Sequence, residues 1–255
     1  MQGSIELSDL SRRYGDFEAV RGLTLAVHPG EVFGLLGPNG AGKSTTLKML
    51  ATLLRPTGGR GLVGGFDLVL QANDVRRILG YVPEGADLYD VLSGAEFLDL
   101  VAGLHRLAGP VAAARRASLA DRLELSADLD RPAGEYSKGM KQKLLLIAAL
   151  QHDPAVLLLD EPLDGLDVAA QEQLKSILRE RAGEGAAVVY SSHILEVVEK
   201  VCDRVAILHR GNLAALGSPR DLSAGGSLSE MFLRLTANAP APPRRAGGAP
   251  DSQAP

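Results

Sequence analysis

Partial alternation of apolar and polar side chains marks two stretches near the start of the chain, Ile5-Glu6-Leu7 and Leu23-Thr24-Leu25-Ala26-Val27. Both predict half-buried strands, the second closed by Pro29-Gly30. Glu31 to Leu36 is mostly apolar and predicts a strand that runs straight into a Gly-rich loop. The rhythm then changes to the helical one. Over Ser44 to Leu54, the side chains Leu47, Leu50 and Leu54 share a face, and Thr57-Gly58-Gly59 is the expected stop.

From about residue 85 to 150 the pattern is mainly helical. Ser93-Gly94-Ala95-Glu96 has the form of a capping box, with Phe97, Val101 and Leu104 expected on one stripe behind it. Gly109-Pro110 breaks that helix, and an Ala/Arg-rich one carrying Leu119 and Leu123 follows. After residue 150, strand and helix patterns alternate. Val156-Leu157-Leu158-Leu159 is apolar on both faces, as a strand inside a parallel sheet requires. Ala186 to Tyr190 and Val205 to Leu208 read the same way, and Arg210-Gly211-Asn212 predicts a hairpin turn. The expected fold is α/β, with a helical insertion over about 85–150 in a domain spanning 1–237. Asn238 to Pro255 consists largely of Ala, Pro, Gly, Ser and Arg, and is expected to be a disordered tail.

At 255 residues the chain has room for one or two domains and for a large core. Its formal charge of −4 argues against broad phosphate-driven binding, so no nucleic-acid partner is expected. The one cysteine, Cys202, excludes an intrachain disulfide and reads as a small buried residue. Met1 to Tyr14 has no apolar core of the signal-peptide kind. Apolar runs such as Leu144 to Leu150 fall far short of the roughly 18 residues that span a bilayer. The expectation is a cytosolic protein whose membrane role, if it has one, goes through a partner.

Two motifs carry chemistry. Gly37-Pro38-Asn39-Gly40-Ala41-Gly42-Lys43-Ser44-Thr45 fits the phosphate-binding pattern G-x-x-x-x-G-K-[ST] in full, between a predicted strand and a predicted helix. In such a loop, glycines let backbone N–H groups turn in around phosphates. Lys43 would reach the β- and γ-phosphates, and the Ser44 hydroxyl would take a place on Mg²⁺. The chain is therefore expected to bind a nucleoside triphosphate. The second motif, Val156 to Pro162, is an apolar strand ending in the carboxylates Asp160 and Glu161. In a P-loop protein the first holds Mg²⁺, and the second can act as base toward the attacking water. Two weaker features flank it. Tyr136-Ser137-Lys138-Gly139-Met140 precedes a helical run, and Ser191-Ser192-His193 follows a strand.

Together, in this order and spacing from about Ile5 to Pro219, these segments resemble the ATP-binding cassette, the ATPase subunit of ABC transporters. The resemblance implies a P-loop NTPase (RecA-like) core with an N-terminal antiparallel β subdomain and an inserted helical subdomain. Tyr14 resembles the aromatic that stacks on adenine in that family; the alternative is a half-buried strand tyrosine. Residues 136–140 resemble the signature usually written Leu-Ser-Gly-Gly-Gln, with Ser137 and Gly139 kept and Tyr136, Lys138 and Met140 in place of Leu, Gly and Gln. Asp164-Gly165-Leu166-Asp167 resembles the loop that crosses the dimer interface, and His193 the switch histidine. Gly80 to Glu84 resembles the loop in which the family has Gln at the Mg²⁺ contact. Glu84 is nearly isosteric with it and adds a negative charge.

The resemblance implies that two cassettes, identical or paralogous, enclose two ATP molecules. Each ATP meets one subunit's Gly37 to Thr45 and the other's Ser137, Lys138, Gly139, Met140 and Asp167. Mg²⁺ would be held by Ser44, Glu84 and Asp160, with Glu161, His193 and Lys43 in the catalytic roles. A separate transmembrane permease subunit is the expected partner, with the cassette peripheral on the cytoplasmic face of the membrane. The form of residues 136–140 with Glu84 resembles the branch serving drug, polysaccharide, sodium or similar exporters. An importer ATPase is the alternative, and a soluble cassette acting on nucleic acid or ribosomes a more distant one. Leu88, Tyr89, Val91 and Leu92 give the segment after Glu84 more apolar character than a loop needs. They either pack on the insertion or form part of a groove for the membrane subunit.

Overall fold

The computed structural model describes residues 3–85, 88–107, 109–224 and 226–237, so the expected tail from Asn238 onward lies outside the described residues. Two sheets organise the chain. The first pairs β1 (Ile5–Tyr14) with β2 (Phe17–Val27) as an antiparallel hairpin. The strand β3 (Val32–Leu36) and helix α1 (Lys43–Leu50) follow in the chain, and then β4 (Gly58–Val63) and β5 (Phe66–Asp67) complete the first sheet in the order β2-β1-β4-β5. Helix α2 (Ala72–Ile78) and strand β6 (Leu79–Val82) lead to the insertion. It comprises α3 (Gly94–Leu104), α4 (Pro110–Arg122) and α5 (Lys138–Leu150). Strand β7 (Val156–Asp160), helix α6 (Val168–Gly183), strand β8 (Ala187–Ser192) and helix α7 (Leu195–Val201) return to the core. The hairpin of β9 (Arg204–His209) and β10 (Asn212–Gly217) follows, then the helices α8 (Pro219–Leu222) and α9 (Leu228–Ala237).

The second sheet has the order β10-β9-β3-β8-β7-β6. Strands β9, β3, β8, β7 and β6 run parallel, and β10 is antiparallel at the edge. Alternation along each strand sends side chains to two separate cores. Leu157 and Leu159 pack with Leu98, Leu123 and Ile147 of the insertion, whereas Val156 and Leu158 pack with Ile5, Leu23 and Leu47 on the other face. The expected α/β architecture, with its antiparallel subdomain and helical insertion, is the one observed.

Several boundaries differ from the sequence reading. The first strand runs on to Tyr14, because the polar stretch from Ser8 pairs on both sides despite a bulge at Asp9, where φ is +51°. Helix α1 ends at Leu50, four residues early, since Thr52 turns left-handed at φ +57°. Thr57-Gly58-Gly59 is therefore no helix stop, and Gly58 and Gly59 open β4. At Gly59 (φ +70°) a Cβ would lie 2.1 Å from the Asp9 carbonyl, so the strands close tightly there. On α3, Leu98 is the fully buried residue and Phe97 and Val101 pack beside it, but Leu104 points to solvent. The Ser93 capping box and the Arg210-Gly211 turn, both residues at positive φ, form as expected. Cys202 is buried, and burial raises its thiol pKa far above the ordinary value.

Candidate active site

The loop between β3 and α1 is built around close backbone approaches. Gly37 has φ +156°, and a Cβ there would sit 2.5 Å from the Leu208 carbonyl oxygen. At Gly42 (φ +107°) it would meet the Ala19 carbonyl at 2.6 Å. Any side chain at either position forces the loop away from its neighbours. Lys43, buried, donates from Nζ to the Gly37 carbonyl at 2.7 Å, so the lysine folds back across its own loop. Its ammonium also lies 3.9 Å from Glu161 Oε1.

Parallel pairing of β7 with β8 sets Asp160 opposite Ser191. The Ser191 hydroxyl donates to Asp160 Oδ1 at 2.6 Å and accepts from the Glu161 N–H at 3.0 Å. One buried hydroxyl thus orients both acidic residues. Glu161 adopts φ +49°, a conformation uncommon for a residue with a side chain, as it leaves the strand. Its Oε2 lies 2.9 Å from His193 Nδ1. Burial raises the Glu161 pKa, and the neighbouring His193 and Lys43 only partly oppose that shift.

These groups face one cleft of about 680 Å³, lined by Tyr14, Pro38 to Thr45, Glu84, Asp160, Glu161 and His193. Gly37 lies at the root of the same loop. The sequence-predicted residues of a single chain are thereby brought together. Ser137, Lys138, Gly139, Met140 and Asp167 stand outside this cleft. Ser137 caps α5 through the Met140 N–H, and Lys138 Nζ donates to Asp164 Oδ2 at 2.6 Å. Asp167 caps α6, accepting from the Ala170 N–H at 2.8 Å, with Lys143 3.5 Å away. A second cavity of about 340 Å³ lies alongside, with Glu84, Glu161 and Asp164 common to both walls.

Phe17 and Ala19 line the cleft without having been singled out in the sequence, and Ser191 and Asp164 were read only as parts of the segments around His193 and Asp167. Ser191 lies two positions before His193, but its role depends on β8 being the neighbour of β7, which spacing alone does not reveal.

The oxygen donors converging on the cleft, the Ser44 hydroxyl and the Glu84 and Asp160 carboxylates, are the hard ligands that Mg²⁺ takes, so the residues present fit that ion.

The sequence profile of the ABC transporter family matches residues 20–164, more than half of the chain and both acidic motif residues. The chain belongs to the ABC transporter family. Within this family, an ABC transporter ATP-binding protein from Nostoc sp. is 42% identical over 80% of this chain, which spans 61% of that protein's length. A daunorubicin resistance ATP-binding protein from Streptomyces coeruleorubidus is 38% identical, covering 91% of this chain and 74% of its own. Among solved structures, the ATP-binding subunit of an ABC transporter superposes with a TM-score of 0.87 at 34% identity, over 91% of this chain and 98% of that one. The ATP-binding cassette of this family is an ATPase domain.

Proposed function

We propose that this chain is the ATP-hydrolysing subunit of an exporter, working on a separate membrane subunit from the cytoplasmic face. The observation that carries the reading is the convergence of Lys43, Asp160, Glu161 and His193 on one cleft. A nucleotide lying there with its phosphates along the Gly37 to Thr45 loop would have its β- and γ-phosphates beside Lys43, and Tyr14 near its base. Ser44, Glu84 and Asp160 would hold Mg²⁺, which when bound draws electron density from the phosphate oxygens and offsets developing charge. Glu161, held 2.9 Å from His193, accepts a proton from the attacking water. Its raised pKa suits that task, since a carboxylate that is a stronger base takes the proton more readily.

Ser137 to Met140 and Asp167 act on the nucleotide of a second cassette, identical or paralogous, in an ATP-enclosing dimer. Among the described residues no helix is long and apolar enough to cross a membrane. The name of the daunorubicin resistance relative favours export over import.

The test is Glu161→Gln in the purified chain. Expected are ATP binding close to wild type, turnover lower by about 10²–10⁴-fold, and an ATP-dependent dimer on gel filtration. Near-normal turnover would overturn the base assignment, and a monomer at saturating ATP would overturn the shared-site reading. Co-purification of the wild-type chain with a membrane protein from its own cells tests the partner.

A further inference from the structure

Tyr14 ends β1, where the nucleotide cleft opens, and is 45% exposed. One face of its ring is already taken. The guanidinium carbon of Arg12 lies 4.6 Å from the ring centroid, within the range of a cation–π contact. Arg12 is fixed in that pose from a second direction, because its Nη1 donates to the Arg55 carbonyl at 2.8 Å. Its Nε is buried and has no hydrogen-bond partner among the described residues. An arginine placed to make hydrogen bonds would not leave that donor idle. Here that donor is unused and the guanidinium lies over the ring.

We propose that Arg12 is a positioning residue for the purine base of the bound nucleotide, acting through Tyr14. The inference rests on the reading of Tyr14 as the surface on which that base stacks. The guanidinium covers one face and Arg12 is not among the residues lining the cleft, so a base entering from the cleft would stack on the other face. The contact also removes rotational freedom from the ring before the base arrives, which lowers the ordering cost of binding. In addition, a cation behind the ring draws π-density away from the front face, which favours stacking with an electron-rich purine. Arg13, adjacent in sequence, is turned elsewhere, with its guanidinium toward Glu18.

Calorimetric titration of the full chain with ATP and with inorganic tripolyphosphate, which has no base, separates the contributions. Arg12→Leu should weaken ATP binding by about 3- to 10-fold, the scale of a partly desolvated cation–π contact. Tripolyphosphate binding should not change, and that titration also reports an intact phosphate loop. Arg12→Gln, planar but uncharged, should lose a similar amount for ATP. In a Tyr14→Ala background, Arg12→Leu should have no further effect. Equal weakening of tripolyphosphate would show Arg12 acting as a plain charge on the phosphates and overturn the inference. So would an undiminished effect in the Tyr14→Ala background, or wild-type ATP binding by Arg12→Gln. The stacking reading itself fails on a different result, Tyr14→Ala binding ATP as tightly as wild type.

Discussion

Lys43 and Glu84 line the same cleft, but substitution should expose different roles. The Lys43 ammonium is buried and satisfied by the Gly37 carbonyl, and Glu161 lies 3.9 Å away. Lys43→Ala should weaken ATP binding itself, by about 10-fold or more, since a charge-assisted contact to phosphate contributes on the order of 1.5–3 kcal/mol. Unchanged ATP affinity by titration would count against the phosphate-loop assignment. Glu84 is exposed at the cleft wall, so removing it leaves no buried partner stranded. Glu84→Gln should stay active, because an amide oxygen could still reach an ion held there. Glu84→Ala should raise the Mg²⁺ concentration for half-maximal ATPase activity, and an unshifted Mg²⁺ dependence would remove Glu84 from the ion's surroundings. At this scale the sequence was highly informative. Loop, acids and histidine lie in contiguous motifs, whereas Ser191 meets Asp160 and Phe17 meets Tyr14 only through strand pairing.

Elements were legible where their apolar period was strong and their ends carried chemical punctuation. Helix α3 begins at its capping box, and the β9–β10 hairpin turns where Gly211 was read. The end of α1 was not legible, because Ala51-Thr52-Leu53-Leu54 continues an apolar rhythm and only tertiary packing turns Thr52 left-handed. The polar half of β1 was equally silent, since two flanking strands, not its own side chains, make it a strand. Where α3 and α5 end, the rings of His105 and His152 stack with centroids 3.7 Å apart. His152 Nε2 lies 3.0 Å from the Leu79 carbonyl, so the pair ties the insertion to β6. Burial first, and His105 second, push the His152 pKa down to about 4. The unfolded chain takes up this proton near pH 6.5, the folded protein only near 4. Stability therefore falls as pH drops through that window, at up to about 1.4 kcal/mol per pH unit from this group. Nearby charges follow the same chain of contacts: Asp153 beside it, and Arg115 and Arg181 paired with Asp153. His152→Gln keeps an amide donor for Leu79 and removes the titration. Its melting temperature should fall less than wild type's between pH 6.5 and 4, and parallel curves would assign the acid sensitivity to other groups.

At the scale of the whole molecule, the six-stranded sheet keeps two cores apart, and the insertion shares only one of them. Movement of the insertion would therefore disturb the face packed on Leu157 and Leu159 while the Gly37 loop keeps its footing on Leu47 and Phe33. A groove of about 300 Å³ opens at the seam, with Leu53 and Tyr81 on the core side and Phe97, Val101 and His105 on the insertion. The apolar residues read in the segment after Glu84 differ in burial, with Leu92 half-buried. Leu88 is buried in the shared core, so it is scaffold and not a contact for a partner. Tyr89 and Val91 face outward, 64% and 88% exposed. Leu88→Ala should then lower stability by about 2–5 kcal/mol, as deletion of a buried leucine side chain does. Tyr89→Glu and Val91→Glu should change stability by less than about 0.5 kcal/mol, since neither side chain has core neighbours to lose. If the exposed pair helps to hold a membrane subunit, the same two variants should keep the ATPase rate of the isolated cassette and lose co-purification with that subunit. Denaturant melts, ATPase assays and detergent pull-downs on the three variants separate these roles. Retention of the membrane subunit by both glutamate variants would move the contact away from this segment, toward the Leu53 to His105 groove beside it.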